Sequence, residues 1–179
     1  MPENGTIERR GRAMKIILSS PVKGFRLKET LKAHLQKQGH EIVDVGCYGT
    51  DKFIKYTATG ERLAYALQNG EAEVAINICG SGTGAVMSVN KFSGVLACAC
   101  ESVKTAQLCR IVNGANCLCL GEDIVSEELG CEIADAFLNA KFQDNPNVDP
   151  KIRDFWKEAH DEMIVRGVKA TNREIEVLP

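Results

Sequence analysis

The chain has 179 residues, enough for one well-buried domain and too few to leave much room for two. Its 22 basic and 24 acidic residues are interspersed, for a formal net charge of −2, with no basic stripe between aromatics; this argues against nucleic acid as a partner. The longest apolar runs, such as residues 95–100, are far too short to span a bilayer. Residues 1–13 are polar, with no apolar stretch of the kind a secretory signal needs, and read as a disordered arm or as sequence upstream of a natural start at Met14. The expected organisation is that arm, one domain over 14–164 and a tail over 165–179, in the cytoplasm and not at a membrane.

From Met14 onward, β-like and helix-like segments alternate. Residues 15–19 form a short apolar strand. A helix over 24–38 follows, with Leu27, Leu31 and Leu35 on one stripe and Gly39 as its stop. Residues 41–45 are the next strand, and a looser segment over 46–56 leads to a helix near 61–68. A third strand over 73–78 ends at Cys79, and the turn Gly80–Gly84 opens a helix through about Lys91. Residues 94–99 are a fourth strand, 101–111 a helix, and 116–120 a fifth strand. Ser126 caps a helix whose Leu129, Ile133 and Phe137 share one face. Asp149-Pro150 then starts a last helix with the apolar stripe Ile152, Trp156, Ala159 and Met163. This helix packs equally well on its own domain or on a neighbouring subunit. The strands are continuously apolar, as strands buried on both faces are. The expected fold is α/β: a Rossmann-like three-layer α/β/α sandwich with a five-stranded parallel sheet and an extra C-terminal helix.

The eight cysteines lie mostly inside apolar runs and read as small buried hydrophobes in a reducing compartment. Without a CxxC pair, and with the three histidines distant in sequence, zinc is the weaker reading, and no metal is expected. The most informative stretch is 78–84, Ile-Cys-Gly-Ser-Gly-Thr-Gly. A strand end, a thiol and three glycines in a turn that opens a helix form a cradle for an anion, a phosphate or an enediolate oxygen. A helix N-terminus favours a thiolate, and a thiolate beside an oxyanion hole can take a proton α to a carbonyl. The GxGxxG spacing of dinucleotide sites and the Gly-Lys-Ser/Thr of a P-loop are both absent. A cysteine hydrolase would want a histidine base, and none lies between His40 and His160. The remaining reading is a purely structural glycine turn.

Five blocks together resemble the type B ribose-5-phosphate and galactose-6-phosphate isomerases, over about Met14 to His160. They are Gly24-Phe25 with Leu27-Lys28, residues 41–46, Cys79–Gly84, Asn90-Lys91 with Gly94-Val95, and residues 113–116 with Leu120-Gly121. The resemblance implies an aldose–ketose isomerase of a small sugar phosphate that needs no cofactor. It also implies homodimers or homotetramers with sites at the subunit interface. Cys79 would move the proton between C1 and C2 through a cis-enediolate, and the amides of Gly80, Gly82, Thr83 and Gly84 with Asn113 would hold that enediolate. Ser81 stands where many members carry threonine and is assigned to the catalytic set. Tyr56 matches a tyrosine that lines the pocket. Arg153, helped by Lys151, matches an arginine that reaches the phosphate from the partner subunit.

The departures from the family pattern are informative. The Asp-His pair usual after strand one is replaced by Pro21-Val22, the Tyr-Pro-Asp stretch survives as Tyr56-Thr57-Ala58, and the histidine that helps open the sugar ring is Val112. Three readings fit: an isomerase whose substrate needs no ring opening, a galactose-6-phosphate-type subunit working with a paralogous second chain, or an inactive relative. Of the smaller signals, His34, His160, Asp44, Asp51 and Trp156 read as structural or solvated, and Arg110 reads equally as a surface helix residue or a phosphate contact.

Overall fold

Which side of the sheet each helix covers is decided by the alternation of side chains along the strands. The computed structural model describes residues 13–171 and contains five strands in one parallel sheet: β1 (Lys15–Ser19), β2 (Glu41–Asp44), β3 (Val74–Cys79), β4 (Ala97–Ala99) and β5 (Cys117–Gly121). The helices are α1 (Phe25–Lys37), α2 (Tyr56–Gln68), α3 (Thr83–Val89), α4 (Val103–Asn113), α5 (Glu127–Asn139) and α6 (Pro150–Ile164). Ile16, Leu18, Ile76, Ile78, Leu118 and Leu120 point to one face, where Leu31, Ile133 and Phe137 bring in α1 and α5. Ile17, Ala75, Cys117 and Cys119 point to the other, under α2 and α3. That second layer is built from small side chains (Ala64, Ala66, Ala75, Ala85), so its helices lie close to the sheet. The three-layer sandwich follows from the period of two.

The strand order is β2-β1-β3-β5-β4. The chain steps out from β1 to β2, returns past β1 to β3, skips one place to β4 and fills the gap with β5. The direction of travel therefore reverses between β1 and β3. In open parallel sheets, ligands bind in the crevice at the carboxyl ends of the strands flanking such a reversal. Cys79, the last residue of β3, stands at that point.

Three boundaries differ from those read in the sequence. α2 begins at Tyr56, five residues before the expected Glu61, which puts Tyr56 in its first turn. α4 runs through Asn113, so that asparagine belongs to a helix and not to a loop. β4 is three residues long, because two asparagines replace ladder bonds beside it. Asn116 accepts from the Leu96 N–H at 2.9 Å and donates to the Gly94 carbonyl at 2.8 Å. Asn90 accepts from the Ala97 N–H at 2.8 Å and donates to its carbonyl at 2.9 Å. Asn90 and Asn116, two of the residues that carry the family resemblance, thus hold β4 in register.

α6 has no buried residue. Its inner side, with Arg153, Trp156, His160 and Ile164, is half-buried, while Ile152, Phe155 and Met163 are exposed. Beyond it the chain packs against the α3–β4 turn and the end of α2: the Ser93 N–H donates to the Val168 carbonyl at 3.0 Å and the Ala170 N–H to Gln68 at 2.9 Å. Residues 1–12 and 172–179, most of the expected arm and half of the expected tail, lie outside the described residues. No described helix is long and apolar enough to cross a membrane.

α1 is fixed to β2 by a fully buried lysine. Lys28 donates to Asp44, which also accepts from Lys32 at 3.0 Å, and Glu29 lies 2.8 Å from the Lys28 Nζ. Removing one partner of a buried ion pair leaves the other charge uncompensated in a poor solvent for it. Asp44→Ala is expected to lower unfolding free energy by about 3 kcal/mol, and Lys28→Met by much less, since it removes the charge itself. Urea denaturation of both variants checks the asymmetry.

Candidate active site

Cys79 is buried, and its Sγ accepts the Gly82 N–H at 3.1 Å. That bond needs Gly82 in the left-handed region (φ 77°), which a glycine adopts at little cost. The turn is held from the neighbouring strand. A Cβ on Gly121 would stand 2.6 Å from the Ser81 carbonyl carbon, so only a glycine lets the end of β5 pass this close. The Glu122 N–H donates to the Cys79 carbonyl at 2.8 Å and the Asp123 N–H to the Gly80 carbonyl at 2.9 Å. The β3–α3 turn is therefore fixed by backbone bonds before any ligand arrives.

No side chain caps α3, which leaves its first-turn N–H groups without intrahelical acceptors. The exposed hydroxyls of Ser81 and Thr83 are hydrogen-bonded to each other at 2.7 Å. The Tyr56 ring lies over Gly84, about one van der Waals contact from where a Cβ would be. Cys79, Gly80, Ser81, Gly82, Thr83, Gly84 and Tyr56 thus share one mouth. Of the other thiols at this edge, Cys47 lies 3.7 Å from the Ser20 hydroxyl, and burial pushes its thiol up. It reads as a packing residue, whereas the Cys79 sulfur accepts a backbone N–H from the glycine turn.

Two residues at this mouth had no signal in the sequence. Asp123 lies close over Gly80 and pairs with Lys23 at 3.5 Å. Glu122 accepts the Leu27 N–H at 3.0 Å and so caps α1 from the far side of the crevice. Both follow β5 directly. Only the strand order, which sets β5 beside β3, brings them to Cys79.

Asn113, Lys151 and Arg153 are elsewhere. Asn113 ends α4 just ahead of β5, whose Cys117 pairs with Ala75 near the start of β3, whereas Cys79 pairs with Gly121 at its far end. The five-residue length of β5 alone separates the two sheet edges by about 13 Å. Arg153 is at the same edge as Asn113: the Gln143 side chain donates to the Arg153 carbonyl, and the Gln143 N–H to the Ile111 carbonyl at 2.8 Å. Arg153 lines a cavity of about 190 Å³ with Gln143, Pro150 and Asp154, and its buried Nε has no hydrogen-bond partner among the described residues. Lys151 is exposed in the first turn of α6. His160 stacks on Phe142 at 4.9 Å, and a Cβ on Gly114 would stand 2.6 Å from its ring. Val112 is half-buried beside Asn113. Within one chain, then, the Cys79 thiol with its amide cradle stands at one edge of the sheet, and Asn113, Lys151 and Arg153 stand at the other.

Residues 16–153 match the model of the ribose/galactose isomerase family. The chain is similar to a 4-deoxy-4-sulfo-D-erythrose isomerase from Clostridium sp. strain MSTE9, at 41% identity over 74% of this chain and 83% of that one. It is 37% identical to ribose-5-phosphate isomerase B of Escherichia coli over 67% of this chain and 80% of the relative. It is 31% identical to D-erythrulose-4-phosphate isomerase 2 of Mycolicibacterium smegmatis, over 79% and 95%. The crystal structure of a ribose 5-phosphate isomerase from Thermotoga maritima superposes with a TM-score of 0.75 at 27% identity, covering 84% of this chain and 97% of that one. The fold agrees with these matches, and the chain belongs to the ribose/galactose isomerase family of sugar-phosphate isomerases.

Proposed function

We propose that the protein interconverts the aldose and ketose forms of an open-chain, four-carbon sugar that carries an anionic group at C4. The observation that carries this reading is the apolar character of the three positions where ring-opening groups are expected. Pro21 is buried, Val22 and Val112 are half-buried, and none has a transferable proton. A pentose or hexose phosphate is mostly cyclic in water and gains from a general acid that opens the ring. A tetrose 4-phosphate has its O4 blocked, and a 4-deoxy-4-sulfo tetrose has no O4 at all, so neither closes a furanose. The relatives named for sulfo-erythrose and erythrulose 4-phosphate support the same choice.

The chemistry starts with the Cys79 thiolate taking the C2 proton of the aldose. The electron pair moves toward the carbonyl, and O1 becomes the enediolate oxygen. The unpartnered amides at the start of α3 stabilise that charge where it develops. The Ser81–Thr83 hydroxyl pair passes a proton between O2 and O1, and the Cys79 thiol returns its proton to C1, giving the ketose. Tyr56 closes the mouth over the carbon chain. In a homodimer, Asn113 of a second copy completes the oxyanion site, while Arg153 and Lys151 of that copy bind the terminal phosphate or sulfonate. The separation of the two half-sites within one chain supports this sharing, and so does the exposed apolar side of α6.

Replacing Cys79 by Ala should lower kcat by about 10²–10⁴-fold, the usual worth of a positioned acid–base group, with the fold and ligand binding retained. An alanine variant with near-native turnover would overturn the mechanism. Sharing of sites is tested by mixing. Cys79→Ala and Asn113→Ala homodimers, each nearly inactive, are unfolded and refolded together in equal amounts. If each site draws on both copies, half of the dimers are mixed and carry one intact site, restoring about a quarter of wild-type activity; no recovery would mean that each chain is self-sufficient. Substrate choice is read from kcat/KM for erythrose 4-phosphate, 4-deoxy-4-sulfo-erythrose, ribose 5-phosphate and galactose 6-phosphate. The two tetroses should lead, and a preference for a cyclic sugar by the isolated chain would reject the open-chain reading.

A further inference from the structure

On the sheet face opposite Cys79, three thiols from two elements meet. Cys98 lies on β4, Cys100 directly follows it, and Cys109 lies on the buried side of α4 with Ala106. Their sulfurs are all within 4.8 Å of one another, and the Cys100 and Cys109 sulfurs are 3.9 Å apart. The arrangement has local causes. The strand period of two puts Cys98 and Cys100 on one face. Ser102 accepts the Thr105 N–H at 3.2 Å and fixes where α4 begins, so that Cys109, two helical turns on, lies over the same face.

We infer that Cys98, Cys100 and Cys109 form a metal site, taking one closed-shell thiophilic cation of the Zn²⁺ or Cu⁺ class as a three-thiolate chelate. With metal–sulfur bonds of about 2.3 Å, sulfurs around one ion lie about 3.8 Å apart in tetrahedral geometry and about 4.0 Å apart in trigonal geometry. The present spacing reaches either by shifts of under about 1 Å. A disulfide, by contrast, requires about 2.05 Å, and all three thiols are free. No histidine or carboxylate joins the cluster among the described residues, and a donor set of sulfur alone selects soft cations over magnesium, calcium or manganese.

The surroundings fit an ion as well. Cys100 and Cys109 are buried against apolar neighbours, while Cys98 is half-buried on the outermost strand, so the cluster has a dry floor and one open side. That side leaves room for a water as fourth ligand on zinc. Three thiolates on a divalent ion carry one net negative charge. Arg110, next in sequence to Cys109, brings a positive charge beside the cluster, and its buried Nε–H has no hydrogen-bond partner among the described residues. The ion would join the outermost strand to the helix that follows it.

The test uses the full-length, fully reduced chain. Zn²⁺ is titrated against a chromophoric chelator and, in a separate anaerobic arm, Cu⁺ against a copper(I) chelator. One equivalent per chain is expected in at least one arm, with affinity falling more than about 100-fold in Cys98→Ser, beyond what loss of a supporting outer-shell partner costs. Cys98→Ser replaces a half-buried group by a close isostere, so it leaves the fold intact where Cys109→Ser threatens it. Cys131→Ser and Cys79→Ala should each keep the full equivalent, which locates the ion at this cluster. Stripping the metal should lower Tm while leaving isomerase turnover unchanged. Absence of saturable binding in both arms overturns the site, as does equal binding by Cys98→Ser. So does an intramolecular disulfide forming among these three thiols in place of metal uptake.

Discussion

The crossing of two backbones at the carboxyl end of the sheet is the constraint on which the active site rests. Gly121 at the end of β5 passes so close to the Ser81–Gly82 turn that a side chain at Gly121 has no room and one at Gly82 would be crowded. This contact sets the height at which the turn leaves the sheet. It thereby sets the left-handed conformation of Gly82 and the aim of its N–H at the Cys79 sulfur. The two bonds from Glu122 and Asp123 to the carbonyls of Cys79 and Gly80 lock the same arrangement from the adjoining loop. In the proposed mechanism this turn is an oxyanion site held before substrate binds, so its dipoles need little reorganisation during proton transfer.

The same sheet that sets Cys79 and its amide cradle at one edge keeps Asn113 and Arg153 at the other. A parallel sheet sends the turn after every strand to one edge and the end of every returning helix to the other. Cys79 belongs to the first group and Asn113 to the second. No adjustment of side chains within one chain closes a gap set by the length of the strands. In the proposed homodimer a twofold axis brings the far edge of one copy over the near edge of another.

Much of the fold was legible in the residues. The five apolar runs, the stripe of Leu27, Leu31 and Leu35, and the caps at Ser126 and Asp149 all report local physics, and the structure places them as expected. The cysteine loop was legible because thiol, glycines and helix start are contiguous. What escaped is non-local. Lys23 and Asp123 meet over Gly80 only because β5 sits beside β3, and the sequence gives no sign of that neighbour order. The thiols of Cys98 and Cys109 read as scattered hydrophobes, since eleven positions apart they share no recognisable spacing. Tyr56 was expected at the end of a loop because the start of α2 has no side-chain cap to announce it.

The short fourth strand has a further consequence. A sheet edge with free N–H and C=O groups is a template on which another chain can add a strand. Here the β4 edge spans only three residues, and the Asn90 side chain already occupies both backbone groups of Ala97. At the opposite border, β2 is four residues long and begins with Glu41, paired to Lys15 at 3.1 Å. Both borders are thus poor templates, which disfavours sheet-to-sheet growth into fibres or continuous dimeric sheets. The proposed pairing of two copies would then use the helical faces, where a closed, symmetric contact limits itself to two.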